Sequence, residues 1–187
     1  MQLQKDDSAL DGKIIALVDY EPIFLPDETP QDFYTLRDDL TKHLNPVGLH
    51  QHLTSKHLVL LYWTRDRIRR VTEKQVKYKI RDLALQELVV RFIDIALTGS
   101  ENVGIATNLS SPDQVLRAEA IDFFTGNGVD IDAVTANAYE ALAQRLAGSE
   151  RDISDLEARI RRQHSDYEAL KVKSAKIIPD AEIIEAA

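Results

Sequence analysis

Fifty consecutive residues, from Leu49 to Thr98, contain neither glycine nor proline. Because these two residues most often interrupt a helix, their absence permits a single helix about 75 Å long at 1.5 Å per residue. Late in the stretch, apolar residues recur at helical spacing, at positions 85, 88, 92 and 96. This spacing favours helix, although the segment VVRFIDI is also rich in strand formers and leaves open whether the helix is continuous.

A second long helix is predicted near the carboxyl end, where apolar residues follow a heptad pattern. One row consists of Tyr139, Leu146, Ile153, Ile160 and Tyr167, and its companion row of Leu142, Leu156 and Leu170. Ser149 and Gln163 interrupt the companion row, and Gly148 lowers helix propensity by about 1 kcal/mol relative to alanine. An apolar seam of this kind needs a partner, and the fifty-residue helix folded back antiparallel is the simplest one.

Capping signals predict two shorter helices. Thr29 is a natural N-cap, Pro30 suits the first helical position, and the NPVG segment at 45–48 should end this helix. The second is predicted to start with Ser111 as its cap. Its predicted apolar face consists of Val115, Leu116, Ile121 and Phe124.

The segments around this second short helix are predicted to be irregular. Residues 98–111, TGSENVGIATNLSS, are polar and glycine-containing and are predicted to form a loop. TGNGVDID at 125–132 lacks the lysine and hydroxyl of a phosphate-binding loop and the closing glutamate of a calcium loop. It is predicted to be a tight turn with an aspartate cap.

The pattern as a whole predicts an all-α protein, an elongated antiparallel hairpin or bundle of long helices with short capping helices. Residues 1–28 are predicted to form an extended arm that includes a short strand at KIIALV. Residues 29–175 are predicted to form a single helical domain. Residues 176–187 are an acidic tail, expected to be mobile or to dock as a short peptide.

Composition narrows the classes of function. The chain has no cysteine, which excludes disulfides, thiolate zinc sites, iron–sulfur clusters and cysteine nucleophiles. The N-terminus does not follow the secretory-signal pattern, and the apolar run LVLLYW is far shorter than the roughly 20 residues that span a bilayer. A cytoplasmic protein of bacterial type without membrane contact is therefore expected. Its net charge of −8 disfavours general binding to polyanions.

One segment departs from this acidic balance. Arg65–Asp82 holds eight basic and three acidic residues, and Arg67, Arg70, Lys74, Lys77 and Arg81 fall on one side of a helix, within an arc of roughly 80°. The stripe either contacts phosphates or forms a solvated face that pairs with acidic protein surface. No helix-turn-helix, zinc finger or aromatic stacking pattern accompanies it, so the structural interpretation is favoured.

Other candidate sites carry weaker signals. Tyr62 and Trp63 lie among leucines and are predicted to pack in a core. Four histidines cluster at 43, 50, 52 and 57, but their spacing matches no metal motif. No motif brings a nucleophile and a base together. We therefore expect neither a metal, nor a cofactor, nor enzymatic activity.

The segment FLPDETPQDFYTLRDDLTKHLNP, followed by YWTRDRIRR, resembles a widespread uncharacterised family of bacterial helical proteins. Its members share an LPxExPxxFxxL start, an LxP stop and a tryptophan followed by arginines. The similarity covers about residues 24–71, and the charged helix ERDISDLEARIRRQHSDYE also resembles the family's end. The resemblance implies a helical architecture and supplies no catalytic residues. Family members often occur near mobile elements, which raises the nucleic-acid alternative.

The sequence thus predicts a helical scaffold or adaptor that acts through protein–protein contacts and self-associates through the heptad helix. The alternative is a nucleic-acid-associated accessory protein that uses the basic stripe.

Overall fold

The described part of the chain consists of α-helices joined by short connections. The computed structural model describes residues 21–91 and 99–177, with side chains over 21–91 and 101–173. Within these residues there are five helices and no strand: α1 (Pro30–Leu44), α2 (Leu49–Arg91), α3 (Gly99–Asn108), α4 (Gln114–Gly126) and α5 (Ile131–Ile177). The all-α prediction is confirmed, and α2 is continuous over its 43 residues.

Some predictions concern residues outside this range. The KIIALV strand, the first 20 residues of the arm, the apolar positions 92 and 96 and residues 178–187 of the tail all lie outside the described residues. The chain divides into two compact units. The first unit is Met1–Asp66 with Ser154–Ala187, and the second unit is Arg67–Ile153. The single domain predicted at 29–175 stays a prediction.

In the first unit, α1 begins and ends where the sequence predicts. Thr29 precedes the helix in an extended conformation and Pro30 takes the first position, but the Thr29 side chain makes no capping hydrogen bond. At the other end Asn45 adopts a left-handed conformation with φ of 50°. Its N–H donates to the Thr41 carbonyl at 2.9 Å. Asparagine tolerates this conformation better than most residues, so it ends the helix at little cost.

An aromatic cluster forms one part of the core of the first unit. Phe24, from the segment before α1, packs edge-on against Trp63 of α2 with the ring centroids 6.2 Å apart. Phe33 of α1 packs edge-on against the same Trp63 ring at 5.4 Å. Both Phe33 and Trp63 are buried. The predicted packing role of Trp63 is therefore confirmed.

Within the first unit, two tyrosine hydroxyls connect the later part of α5 to α1 and α2. The buried Tyr167 donates to the carbonyl of Leu44, the last residue of α1, at 2.9 Å. Tyr62 of α2 shares a hydrogen bond of 3.0 Å with His164 Nε2. Helix ends leave carbonyls without intrahelical partners, so the Tyr167 bond satisfies a group that α1 itself cannot.

The second unit has its own apolar core, in which α3 takes part. The core cluster consists of Ala84, Leu88, Ala106, Leu109, Ala120, Phe124, Val129 and Val134. Residues 98–111 were predicted to be a loop, and this is wrong, because Gly99–Asn108 is helical. Glycines at 99 and 104 lower the intrinsic propensity, but Asn102, Ala106 and Leu109 are buried. Tertiary packing of this face outweighs propensity.

Helix α4 starts later than predicted and buries a different face. Its N-cap is Asp113 rather than Ser111, and the Asp113 carboxylate accepts from the Val115 N–H at 2.8 Å. Ser111 instead accepts from the Asp113 N–H at 3.1 Å. Of the predicted apolar face, only Phe124 is buried. The other three members, Val115, Leu116 and Ile121, are exposed, so the predicted face is largely wrong.

The turn between α4 and α5 has the predicted form. Gly128 has a φ of 77°, which favours glycine. The Asp130 carboxylate accepts from the Ala133 N–H at 3.0 Å and caps α5. Val129, between them, is buried in the core cluster. The prediction of a tight turn with an aspartate cap is confirmed.

Candidate functional site

The second unit contains an open groove of about 500 Å³ between α2, the α3–α4 connection and α5. Its apolar lining is contributed by Val76, Ile80, Pro112, Tyr139 and Leu146. In this unit the two long helices run antiparallel: Leu88 of α2 shares the core cluster with Val134 of α5, whereas the earlier Val76 lines the groove with the later Leu146. The groove opens where the side chains between them do not fill the space, so apolar surface remains in contact with solvent.

Two cations and one acid stand at the groove. Lys77 of α2 and Arg117 of α4 line it together with Glu73. Over residues 21–91 and 101–173, neither Lys77 nor Arg117 forms an ion pair with a carboxylate. The lining is thus apolar with a net positive charge, in a chain that is acidic overall.

Helix α4, beside this groove, exposes apolar and acidic side chains. Val115 is 65% exposed, and Leu116 and Ile121 are also solvent-accessible. Glu119 and Asp122, on the same helix, are exposed as well. An exposed helix normally presents polar residues to solvent. Helix α4 exposes three large apolar side chains, and they lie on different sides of the helix because they are one, five and six residues apart.

The heptad seam lies mostly inside the chain. Leu142, Leu156, Ile160 and Tyr167 are buried, and Leu146, Ile153 and Leu170 are partly buried. Tyr139 is the exception, because the residue is 52% exposed. Residues already buried within one chain contribute little to contact with another. Among the seam residues, Tyr139 is therefore the one most accessible to another molecule.

The basic stripe on α2 is largely occupied by interactions within the chain. Arg67, Arg70 and Lys74 are partly buried, and each interacts with other groups of the protein. Arg81 donates to the Asp82 carboxylate at 2.9 Å. Lys77 is exposed and lines the groove. The stripe is thus split between intramolecular contacts and the groove.

A Tyr-x-x-Arg-Asp pattern occurs three times in the chain, and one copy accounts for the interactions of Arg81. This pattern was not identified from the sequence. The three copies start at Tyr34, Tyr62 and Tyr78. In each copy the arginine lies over the tyrosine ring, at 5.0, 4.9 and 5.1 Å from its centroid, and binds the following aspartate. Residues three apart are neighbours on a helix, so the pattern itself signals this arrangement.

The histidines do not converge. His43, His50 and His57 are exposed, and His52 is partly buried beside the α1–α2 connection. No group of three potential metal ligands occurs in the part of the chain that the structure describes. Within the same ranges, no helix is both long enough and apolar enough to cross a membrane.

Comparison of the chain with protein-family models, with curated proteins and with solved structures finds no match. The comparisons therefore assign no role to the groove, and what it can bind follows from its own lining residues.

Proposed function

We propose that the chain is a non-enzymatic helical scaffold or adaptor that acts through protein–protein contacts and self-associates. The contact places α4 of one copy in the groove of the second unit of another. The observation that carries the proposal is the occurrence, in one unit, of an apolar groove with two cations and an exposed apolar helix with two acids. Each copy then offers both halves of the same interface.

The apolar parts match in kind. Val115, Leu116 and Ile121 supply the exposed apolar side chains of α4, and the half-exposed Tyr139 is the largest such side chain at the groove. Docking an amphipathic helix into an apolar groove is a common mode of recognition. Tyrosine is also enriched among residues that dominate binding energy.

The charges also match in sign. Lys77 and Arg117 line the groove, and Glu119 and Asp122 are exposed on α4. Opposite charges across an interface steer encounter and fix the register of the partners. The groove and α4 lie in the same unit. In a two-fold arrangement, α4 of each copy therefore occupies the groove of the other, and the assembly closes as a dimer.

The nucleic-acid alternative has less support. Of the five basic residues, Arg67, Arg70 and Lys74 already interact within the chain, and Arg81 is bound to Asp82. Releasing these groups to bind phosphates would carry a cost that a preformed basic surface does not have.

Light scattering on wild type and two matched variants tests the proposal. Val115→Asp places a charge on the exposed side of α4. Val47→Asp makes the same change in the first unit at a valine of nearly equal exposure, 66% against 65% for Val115. We expect a dimer for the wild type and Val47→Asp, and a monomer for Val115→Asp. A wild-type monomer, or equal behaviour of the two variants, would contradict the proposal.

A charge exchange and a DNA titration sharpen the result. Lys77→Glu should weaken the dimer, and combining it with Glu119→Lys and Asp122→Lys should restore association.

Duplex DNA is titrated at low and raised salt, for wild type and for a variant with glutamine at Arg67, Arg70, Lys74, Lys77 and Arg81. Tight binding that salt and these substitutions abolish, by a monomeric protein, would establish the alternative instead.

A further inference from the structure

We propose that the acidic segment 178–187 of the chain docks, within the same molecule, in a second cavity that belongs to the first unit. This cavity has a volume of about 610 Å³ and lies where α1 ends and α2 begins. Segment 178–187 lies outside the described residues and belongs to the same unit. The cavity shares no residue with the groove of the second unit, so this inference is independent of self-association.

The charges of the cavity and the segment are opposite in sign. Arg37, Lys42 and Lys56 line the cavity. Its single carboxylate, that of Asp38, is bound by Arg37 Nε at 2.8 Å. The C-terminal end of α1 adds only a partial negative charge. Segment 178–187 carries three acidic residues and no basic one, so its docking brings opposite charges together.

The apolar surfaces of the cavity and the segment also match. Most of the surface that the cavity exposes is apolar. Pro46 contributes to it, and long basic side chains carry hydrocarbon stems beneath their charged heads. In the segment, the sequence EIIE at 182–185 places two isoleucines between two acids. One short stretch of chain therefore supplies both the apolar and the anionic groups that this lining can bind, and docking removes apolar surface from water.

The segment starts close enough to reach the cavity. Tyr167 of α5 donates to the carbonyl of Leu44, and the next two residues, Asn45 and Pro46, line the cavity. Helix α5 continues from there to Ile177, a distance of about 15 Å along its axis at 1.5 Å per residue. Ten extended residues span up to about 33 Å, so segment 178–187 can fold back from the end of α5 to the cavity.

The arm at the other end of the chain is a weaker candidate for the same cavity. Residues 1–20 also belong to the first unit and also lie outside the described residues. They mix four aspartates with two lysines, so their charge complements the cavity less well. For this reason we assign the cavity to segment 178–187.

Cross-linking of the full chain tests the inference, because the chain has no cysteine and a chosen pair can be introduced. Ala181→Cys keeps every acid and isoleucine of the segment. It is combined with Thr41→Cys in the cavity or, as a control, with His43→Cys on the other side of α1. With a short bismaleimide, the Thr41→Cys pair should cross-link at least about tenfold faster, because docking raises the effective concentration of its two thiols. His43 is more exposed than Thr41, so accessibility alone predicts the reverse order.

Changes of charge identify the contacts of the docked segment. Lys42→Glu should slow the cross-linking of the Thr41→Cys pair by about tenfold, a loss typical of one charged contact. Lys173→Glu, at an exposed lysine outside the cavity, should leave the rate unchanged. Raising the salt concentration tests the same charges without a substitution, and it should also slow the reaction, because salt screens them.

Changes in the segment test its apolar contacts. Ile183→Asn together with Ile184→Asn should slow the cross-linking, whereas Val172→Asn, at an exposed apolar residue of α5, should not. Circular dichroism verifies that each variant keeps its helices.

Four results would overturn the inference. They are equal rates for the two cysteine pairs, an equal loss for Lys42→Glu and Lys173→Glu, a cross-linked product with the mass of two chains, and faster cross-linking of Thr41→Cys to Asp7→Cys than to Ala181→Cys. The last result would assign the cavity to the arm.

Discussion

The hydroxyl of Tyr167 donates a hydrogen bond to the main-chain carbonyl of Leu44, 123 residues earlier in the chain. Tyr167 occupies a heptad position of α5, where its ring is fully buried. Its hydroxyl at the same time satisfies a carbonyl at the end of α1. One side chain therefore both fills the core of the first unit and ties α1 to α5.

Tyr167→Phe tests this double role, because it keeps the ring and removes the hydroxyl. The Leu44 carbonyl then loses its partner, and we expect the free energy of unfolding to fall by about 1–2 kcal/mol. Urea unfolding followed by circular dichroism measures this. Tyr78→Phe is the control, since its side chain is half exposed and lies outside the groove, and it should change stability by less than about 0.5 kcal/mol. Equal effects would contradict a specific role for the Tyr167 hydroxyl.

The same residue predicts a dependence on alkaline pH. Burial, with a smaller contribution from Glu168, raises the pKa of Tyr167 above its ordinary value of 10.0. The folded protein therefore retains the proton at pH values where the unfolded chain has lost it. The resulting stabilisation is complete below pH 10 and is lost as pH rises through the folded-state pKa.

Unfolding free energies measured between pH 8 and pH 11 check this expectation. Other groups also titrate in this range, so the informative quantity is the difference between wild type and Tyr167→Phe. That difference should shrink as pH rises above 10. A constant difference across the whole range would show that Tyr167 does not titrate as expected.

Helices α1 and α2 could be predicted because their signals are local. Pro30 favours a helix start and Asn45 a helix end through their own backbone conformations. Over 49–98, no glycine or proline interrupts the helix. Helix α3 lacked such signals. Its two glycines predict a loop, and the burial of Asn102 and Ala106 that stabilises it comes from residues distant in sequence.

For the candidate sites too, local features could be predicted from the sequence and contacts between distant residues could not. The basic stripe is visible in the sequence, but the interactions of Arg67 and Lys74 are not. The groove combines Val76, Pro112 and Tyr139, which no periodicity connects. The Tyr-x-x-Arg-Asp repeats, in contrast, were readable from spacing alone, because a ring and a guanidinium three residues apart meet on a helix.

The heptad seam yields a graded prediction, since burial differs along it. Ile160 is 5% exposed, whereas Ile153 is only partly buried. Ile160→Asp should cost more than about 3 kcal/mol, because an isolated charge is placed in an apolar site, and Ile153→Asp should cost less. Val172→Asp, at an exposed position of the same helix, controls for the charge itself. Thermal melts of the three variants should follow this order, and a reversed order would contradict the placement of the seam.

Helix capping provides a final comparison between two residues that the sequence does not distinguish. Thr29 and Asp113 both occupy N-cap positions and both belong to residue types that favour them. Of these two residues, only Asp113 makes side-chain capping hydrogen bonds, and its carboxylate accepts from Val115 and Leu116 N–H. Asp113→Ala should therefore cost about 1 kcal/mol, and Thr29→Ala only a few tenths. Denaturant unfolding of both variants measures the difference. If Thr29→Ala were as costly as Asp113→Ala, the start of α1 would depend on the Thr29 hydroxyl, and its conformation would differ from the one described.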